Sequence, residues 1–364
     1  MGDDTIRVCH VVNAVSTTSV PADIATGLVK HTDIQADILA WFNVEPFNGM
    51  DLIQVHDIGA PNNSVGADVT SIQTARQILS QYDIIQTHHN HSGTFAKPIA
   101  YLQGTPIIST EQNNHDGFTT KGLVANAITN SLVNEITCVS ETVVNSIYSW
   151  ERFFCDNIRV IHNGVNLNRV EESRNQEWSV HDCVDIDTDA YLISNAGRLA
   201  KQKGLDTLIR AISQLQPSIS VEAAIAGDGP LQSDLKSLAK NLGVNDSIHF
   251  LGKIDRSNVY SMMAESDAYV MPSRWEGFSA AALEALSIGV PCIFSDIDEF
   301  TTPFEGAARF HRVDDPQSLS KVLSDVLTDA DQRASLVERG RKRADRYSIE
   351  NVVKRYRDLY RELV

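Results

Sequence analysis

Three observations predict a parallel α/β protein built as two doubly wound, Rossmann-like domains facing each other across a cleft. Short β-rich runs alternate with helical patterns along most of the chain. A polar, acid-rich stretch from Glu171 to Asp189 interrupts the alternation once, after which it starts again. A length of 364 residues is enough for two cores of ordinary size.

In the first half, strands are expected at Ile6–Val12, Ile34–Leu39, Leu52–Ile58, Asp83–Thr87, Pro106–Ser109, Glu135–Val139 and Ile158–Ile161, with helices at Ser71–Ser80 and Thr142–Trp150 among them. The stretch 171–189 has no hydrophobic period and reads as a linker or an exposed excursion. Beyond it, strands are expected at Tyr191–Asn195, Val221–Ile225, Ile248–Leu251, Ala268–Met271 and Pro291–Phe294. Helices fall near Leu205–Leu215, Leu231–Asn241, Ser257–Glu265 and Ala280–Leu286. The last sixty residues read as helices only. The final one carries Val352, Val353, Tyr356, Leu359, Tyr360 and Leu363 on one stripe, with Lys and Arg opposite.

Composition narrows the function. A formal net charge of -16 and a pI near 5.1 argue against a general nucleic-acid binder, which needs a basic surface. No stretch is apolar enough to span a bilayer. The start, MGDDTIRVCHVVN, places acids where a secretory signal would carry bases, so export is not expected. The cysteines are scattered without a CxxC pair, which fits reduced thiols in a cytosol better than disulfides or zinc.

In such sheets ligands gather at the carboxyl ends of strands, so segments just after strands carry most weight. The most informative one is WEGFSAAALE, residues 275–284. On one continuous helix, Glu276 and Glu284 would lie about 12 Å apart along the axis. They can share a pocket only if Glu276 sits in the loop before the helix and Glu284 on its second turn. Gly277 permits that loop, Ser279 suits the N-cap, and Gly289 with Pro291 ends the helix. Free amides at a helix start, flanked by acids that accept hydroxyls, suit an anion joined to a polyol. A nucleotide sugar fits that description.

Upstream, in NAGRLAKQKGLD, Arg198 and Lys203 lie in a loop following a strand, where two cations suit a diphosphate. Basic loops are also commonly just solvated, and it is the acid-flanked turn downstream that favours phosphate. Gly227 and Gly229 in AGDGP form a tight turn, and the backbone of Lys253 and Ile254 after Gly252 can edge a nucleobase. In THHNHSG, His89 and His91 fall on the same side of an extended chain. No acid or Cys accompanies them, so sugar or acceptor contacts are preferred over a metal, with plain packing as the other reading. The two DID tripeptides, 185–187 and 296–298, are discounted as metal sites because Asp-rich chains produce them by chance.

Residues 268–300 resemble the family-four group of retaining glycosyltransferases with the GT-B fold. The matching positions are Pro272-Ser273, Glu276-Gly277-Phe278-Ser279, Glu284, Ala285, Gly289 and Pro291. Gly197-Arg198-Leu199, Lys203-Gly204, Gly227-Asp228-Gly229-Pro230, Val139-Ser140 and His162-Asn163-Gly164-Val165 match in the same order. The likeness is good from about Ile136 to Asp298 and elsewhere rests on layout. It implies a first domain of residues 1–167 plus 348–364, a nucleotide-sugar domain of 168–347, and a closing helix that crosses back onto the first. It also implies a metal-independent retaining transferase without a cofactor, its co-substrate a nucleotide-diphosphate sugar and its acceptor a glycan, a lipid-linked sugar or a small molecule. Arg198 and Lys203 then hold the diphosphate, with Gly197 beside them. Gly277 belongs to the donor-binding loop, the amides of Phe278, Ser279 and Ala280 bind the distal phosphate, Glu284 takes the ribose hydroxyls, and Glu276 faces the transferred sugar.

Two departures from the pattern stand out. The loop Val11–Ala25 lacks the family's glycine pair, and Gln112 stands where a histidine is common, with His115 three residues on. They leave open a non-catalytic partner subunit; a separate alternative is another GT-B enzyme such as a nucleotide-sugar epimerase, against which the continuous Glu276–Glu284 motif speaks. The reading places the protein in the cytoplasm, with peripheral association at the inner face of the membrane left open.

Overall fold

The computed structural model describes residues 5–16, 19–47, 49–61, 66–88, 90–115, 119–153, 157–173, 177–215 and 218–364. The chain forms two compact units, Met1–Gly164 with Ser348–Val364, and Val165–Tyr347.

The first unit runs β1 (Arg7–Val15), α1 (Val20–His31), β2 (Gln35–Val44), β3 (Val55–Asp57), α2 (Val69–Leu79), β4 (Ile84–Thr87), α3 (Asn90–Gln103), β5 (Ile107–Glu111), α4 (Thr120–Asn130), β6 (Glu135–Cys138), α5 (Glu141–Ser146), α6 (Ser149–Arg152) and β7 (Ile158–Val160). All neighbouring strands are parallel, in the order β3-β2-β1-β4-β5-β6-β7. Such a sheet buries both faces, and each has its own apolar layer. On one, Val8, Ile38 and Ile84 pack with α1 and with Val352, Val353, Tyr356, Leu359 and Tyr360 of the closing helix. On the other, Trp41, Leu39 and Ile85 pack with Leu79 and Ala96.

The second unit contains α7 (Leu167–Ser173), β8 (Tyr191–Ala196), α8 (Leu205–Leu215), β9 (Val221–Ala226), α9 (Gln232–Asn241), β10 (Ile248–Gly252), α10 (Arg256–Glu265), β11 (Ala268–Met271), α11 (Ala280–Ile288), β12 (Cys292–Ser295), α12 (Asp298–Phe304), β13 (Arg309–His311), α13 (Pro316–Thr328) and α14 (Ala330–Arg346). Its parallel sheet is ordered β10-β9-β8-β11-β12-β13. The chain then enters α15 (Ile349–Leu363), whose apolar stripe packs against α1 in the first unit. Both units are therefore doubly wound, and each reverses strand order once, between β1 and β4 and between β8 and β11. Loops leaving the strands at such a point diverge and open a crevice at the carboxyl ends.

Four expectations need correction. Part of the stretch 171–189 is not an exposed excursion, because Val180 and Ile186 are buried with Leu192, Ala224 and Met262. Isolated apolar residues in a polar run gave no period, yet they cover one flank of the sheet. The last sixty residues are not helical throughout, since Arg309–His311 pairs with β12 as an edge strand. Three residues are too few to show an alternation. The helix expected over Thr142–Trp150 is two short ones, parted where buried Ile147 and then Tyr148 take extended backbone. Residues 90–103 are helical, so His91 does not lie on an extended chain.

Candidate active site at the carboxyl ends of β8 and β11

The reversal in the second unit sets two loops side by side. One leaves β8 through Gly197 and Arg198, makes a single 3-10 turn over Lys201–Lys203, and enters α8 at Gly204. The other leaves β11 through Pro272 and Ser273 and enters α11. They are knitted together. The Arg274 amide donates to Gln202 O at 2.7 Å, and Gln202 Nε2 donates to Trp275 O at 2.9 Å. The Arg274 guanidinium donates to Lys201 O at 2.6 Å, to Asp206 at 2.8 Å, and pairs with Asp314 at 2.7 Å. Gly204 lies so close to the second loop that a Cβ there would sit 1.9 Å from Pro272 O.

This stitching brings Lys203 to Glu276. Lys203 Nζ lies 2.6 Å from Glu276 Oε1, and the Ser273 hydroxyl donates to the same oxygen at 2.7 Å. The carboxylate is only 7% exposed, so its charge has left bulk water and is balanced by the ammonium. No bond to Glu276 Oε2 is made by the described residues.

Glu284 repeats the pattern. Ser279 caps α11, its hydroxyl accepting from the Ala282 amide at 3.3 Å, and Gly289 ends the helix in a left-handed conformation. Glu284 therefore hangs from the second turn, while Glu276 precedes the cap. At Glu284 Oε1 three groups converge: the Arg256 guanidinium, the Tyr260 hydroxyl donating at 2.8 Å, and Arg169 at 3.6 Å. Arg169 Nε also donates to the Tyr260 oxygen at 3.3 Å. Burial pushes the Tyr269 phenol above its ordinary range; its bond to Ala196 O opposes the shift, while Cys292 and then Glu284 and Glu276 add to it.

The other residues expected to bind the donor lie after β8, β10 and β11. Arg198 is exposed, and its side chain makes no bond with the described residues. Lys253 is exposed as well, whereas Ile254 is half-buried against the cluster of Val180 and Met262. Phe278 is buried with its ring 5.3 Å from Tyr347 and 6.0 Å from Phe304, which anchors the segment Gly277–Ala280. Amides in the first turn of α11 have no acceptor within the helix. The arrangement offers two cations, a helix start and two carboxylates, each with one oxygen held by protein. Gln202, Arg274, Arg169, Arg256 and Tyr260 escaped sequence reasoning. The signal for the last two was their spacing, four residues apart at a helix start.

In the first unit the expected residues scatter. His89 lies outside the described residues. His91 is exposed in the first turn of α3, its ring 5.3 Å from Phe42 and 5.5 Å from Phe95. The neighbouring His88, not singled out above, is buried at the end of β4. Gln112 Nε2 lies 3.3 Å from His88 Nδ1, and His88 Nε2 lies 2.8 Å from His10 Nδ1. Burial holds His10 neutral, with its pKa down at about 3. With the Gln112 amide as donor, His88 carries its proton on Nε2 and donates to His10. Gln112 is thus tethered to a histidine pair.

His115 is 1% exposed and sits between two carboxylates. Nδ1 lies 2.6 Å from Glu151, and Nε2 faces Glu111 at 3.5 Å, an ion-pair rather than a hydrogen-bond distance. Asn126 donates to Glu111 at 2.9 Å, while buried Lys97 donates to Asn130 at 2.6 Å and to Asn126 at 3.2 Å. Burial alone would lower the His115 pKa, but the two carboxylates outweigh it and the net shift is upward. Burial alone would raise Glu111, but His115 and Lys97 hold it down at about 2. The signs fix a window. The His115 contribution is complete below its unfolded value of 6.5 and is lost as pH rises through the folded one. The Glu111 contribution is complete above 4.5 and is lost as pH falls towards about 2. The unfolding midpoint is therefore expected to be highest between these limits, and His115→Gln to flatten its alkaline decline. Equal slopes above pH 6.5 in variant and parent would refute the charged-histidine account.

Two Rossmann-like units, one carrying a basic loop and a helix start beside two carboxylates, are the makings of a GT-B glycosyltransferase. The family model "Glycosyl transferases group 1" matches residues 177–343, and "Glycosyltransferase Family 4" matches residues 23–169. The chain belongs to the family-four-like glycosyltransferases of the GT-B type. An uncharacterized glycosyltransferase of Methanocaldococcus jannaschii is 24% identical over 363 residues, covering 93% of this chain and 92% of its own. The D-inositol 3-phosphate glycosyltransferase of Corynebacterium urealyticum is 32% identical over 189 residues, 49% of this chain and 44% of its own. Among solved structures, Anabaena HepE in complex with UDP and glucose superposes with a TM-score of 0.81 at 15% identity, over 98% of this chain and 100% of that one.

Proposed function

We propose that the protein transfers a sugar from a nucleotide-diphosphate donor to a hydroxyl-bearing acceptor, with retention of configuration and without a metal ion. The observation that carries this reading is the Lys203–Glu276 pair at the head of α11, 2.6 Å apart, with Glu284 on the next turn of the same helix. Arg198 and Lys203 supply the positive charge that a departing diphosphate needs, a task otherwise given to a divalent ion. The first-turn amides of α11 add the helix dipole to the distal phosphate. Glu276 Oε2 is left to stabilise positive charge developing on the sugar ring. Uridine is the first base to test, because HepE was solved with UDP.

The acceptor is a glycan, a lipid-linked sugar or a small molecule, and the protein works in the cytosol, to which the unpaired Cys9, Cys138, Cys183 and Cys292 are suited. Among the described residues no helix is long and apolar enough to cross a membrane, and a lipid-linked acceptor would be met at the inner face.

Calorimetric titration of UDP into the parent and into Arg198→Ala tests the donor grip. The loss of a charge-assisted contact is expected to weaken binding by about tenfold or more. Slow release of free sugar from a UDP-sugar, with the anomer first formed matching the donor, tests turnover and retention together. Unchanged UDP affinity in the variant, or no turnover of any nucleotide sugar tried, overturns the reading.

A further inference from the structure

Glu284 is held in an unusual way for a carboxylate offered to a ligand. Every bond its carboxylate makes with the described residues falls on Oε1, where Arg256, Tyr260 and Arg169 meet from α10 and α7. No bond from those residues reaches Oε2. The residue is 7% exposed, Tyr260 is 1% exposed, and the Tyr260 hydroxyl both receives from Arg169 and donates to Glu284. The last torsion of a glutamate is broad and nearly two-fold, so a free carboxylate would exchange its oxygens and swing. Here the carboxylate plane is pinned by groups of defined direction: a fork-shaped guanidinium and a hydroxyl on a rigid ring.

We infer that Arg256 and Tyr260 are positioning residues that fix Glu284 through Oε1, so that Oε2 alone reads the ribose hydroxyls of the donor. This rests on the nucleotide-donor reading above and deepens it. One oxygen has two lone pairs and can accept from both vicinal hydroxyls of a ribose, but only if it is aimed between them. The pinning spends the ordering cost in folding rather than in binding. The bonds equally tie α7, α10 and α11 together, and a purely structural role would make the same contacts. The two roles differ in what they do to hydroxyl recognition. A structural role affects all nucleotides alike, whereas a positioning role affects only those with the hydroxyls.

The test compares UDP and GDP, each against its 2′-deoxy counterpart, by calorimetric titration into the parent, Tyr260→Phe and Arg256→Gln. Phenylalanine keeps the buried ring, so Tyr260→Phe guards against a folding failure in the charge variant. For the nucleotide that binds, the parent is expected to prefer the ribo form by about tenfold, the worth of a hydrogen bond to a charged group. In both variants that preference is expected to shrink towards one, while affinity for the deoxy form stays within about twofold. A preference kept in full by both variants, whether affinities hold or the ribo and deoxy forms weaken equally, overturns the inference and leaves the donor reading standing. A parent that binds neither diphosphate overturns both.

Discussion

Glu276→Ala is expected to lower kcat for sugar transfer by about 10²- to 10³-fold, the usual cost of losing one preorganised electrostatic group. Affinity for UDP should stay the same or tighten. Lys203 Nζ is held 2.6 Å from Glu276 Oε1, so removing the acid frees the ammonium for the diphosphate and takes a negative charge away from a dianion. The split between kcat and Kd makes the result diagnostic. A residue that only tied the two loops together would lose binding along with turnover, because Arg198 and Lys203 share one of those loops. Steady-state rates with a UDP-sugar, beside titration of UDP, measure both. A kcat within threefold of the parent would remove Glu276 from the chemistry.

Gly204→Ala is expected to be strongly destabilising. Its φ of 61° lies in the left-handed region, and the added Cβ would stand 1.9 Å from the Pro272 carbonyl oxygen. The backbone strain alone costs about 1–2 kcal/mol, and a collision with main chain cannot be relieved by turning a side chain. A total of roughly 3–5 kcal/mol is a large share of the stability of an ordinary domain. Gly243→Ala is the control, since its φ of 70° carries the same strain with nothing within 4 Å. Urea denaturation of the two variants should separate them by at least about 2 kcal/mol. Equal midpoints would mean that the two loops do not meet as tightly as the structure has them.

Much of this was legible in the chain. Alternating periods were enough to place most strands and helices, because period two and period 3.6 are local properties. The cap at Ser279, the stop at Gly289 and the division of Glu276 and Glu284 between loop and helix follow from residue types within one turn of each other. Elsewhere locality failed. Arg309–His311 is too short for a period, and Val180 and Ile186 are apolar singles whose burial depends on a surface supplied by β8, β9 and α10. His88 was passed over for its neighbours because nothing in THHNHSG tells which imidazole meets His10 on β1, 78 residues away.

By itself, then, the sequence determined the class of this protein and the side of the second sheet on which its candidate site lies. Within each loop the relevant residues are close neighbours in the chain and follow a strand. The tertiary structure alone decided how each acid is held. Lys203 reaches Glu276 across 73 residues, and Tyr260 reaches Glu284 across 24, only because the sheet order sets β8 beside β11 and packs α10 against α11. Which oxygen of a carboxylate is pinned and which is left for a ligand depends on directions in space, and chain spacing carries no information about them.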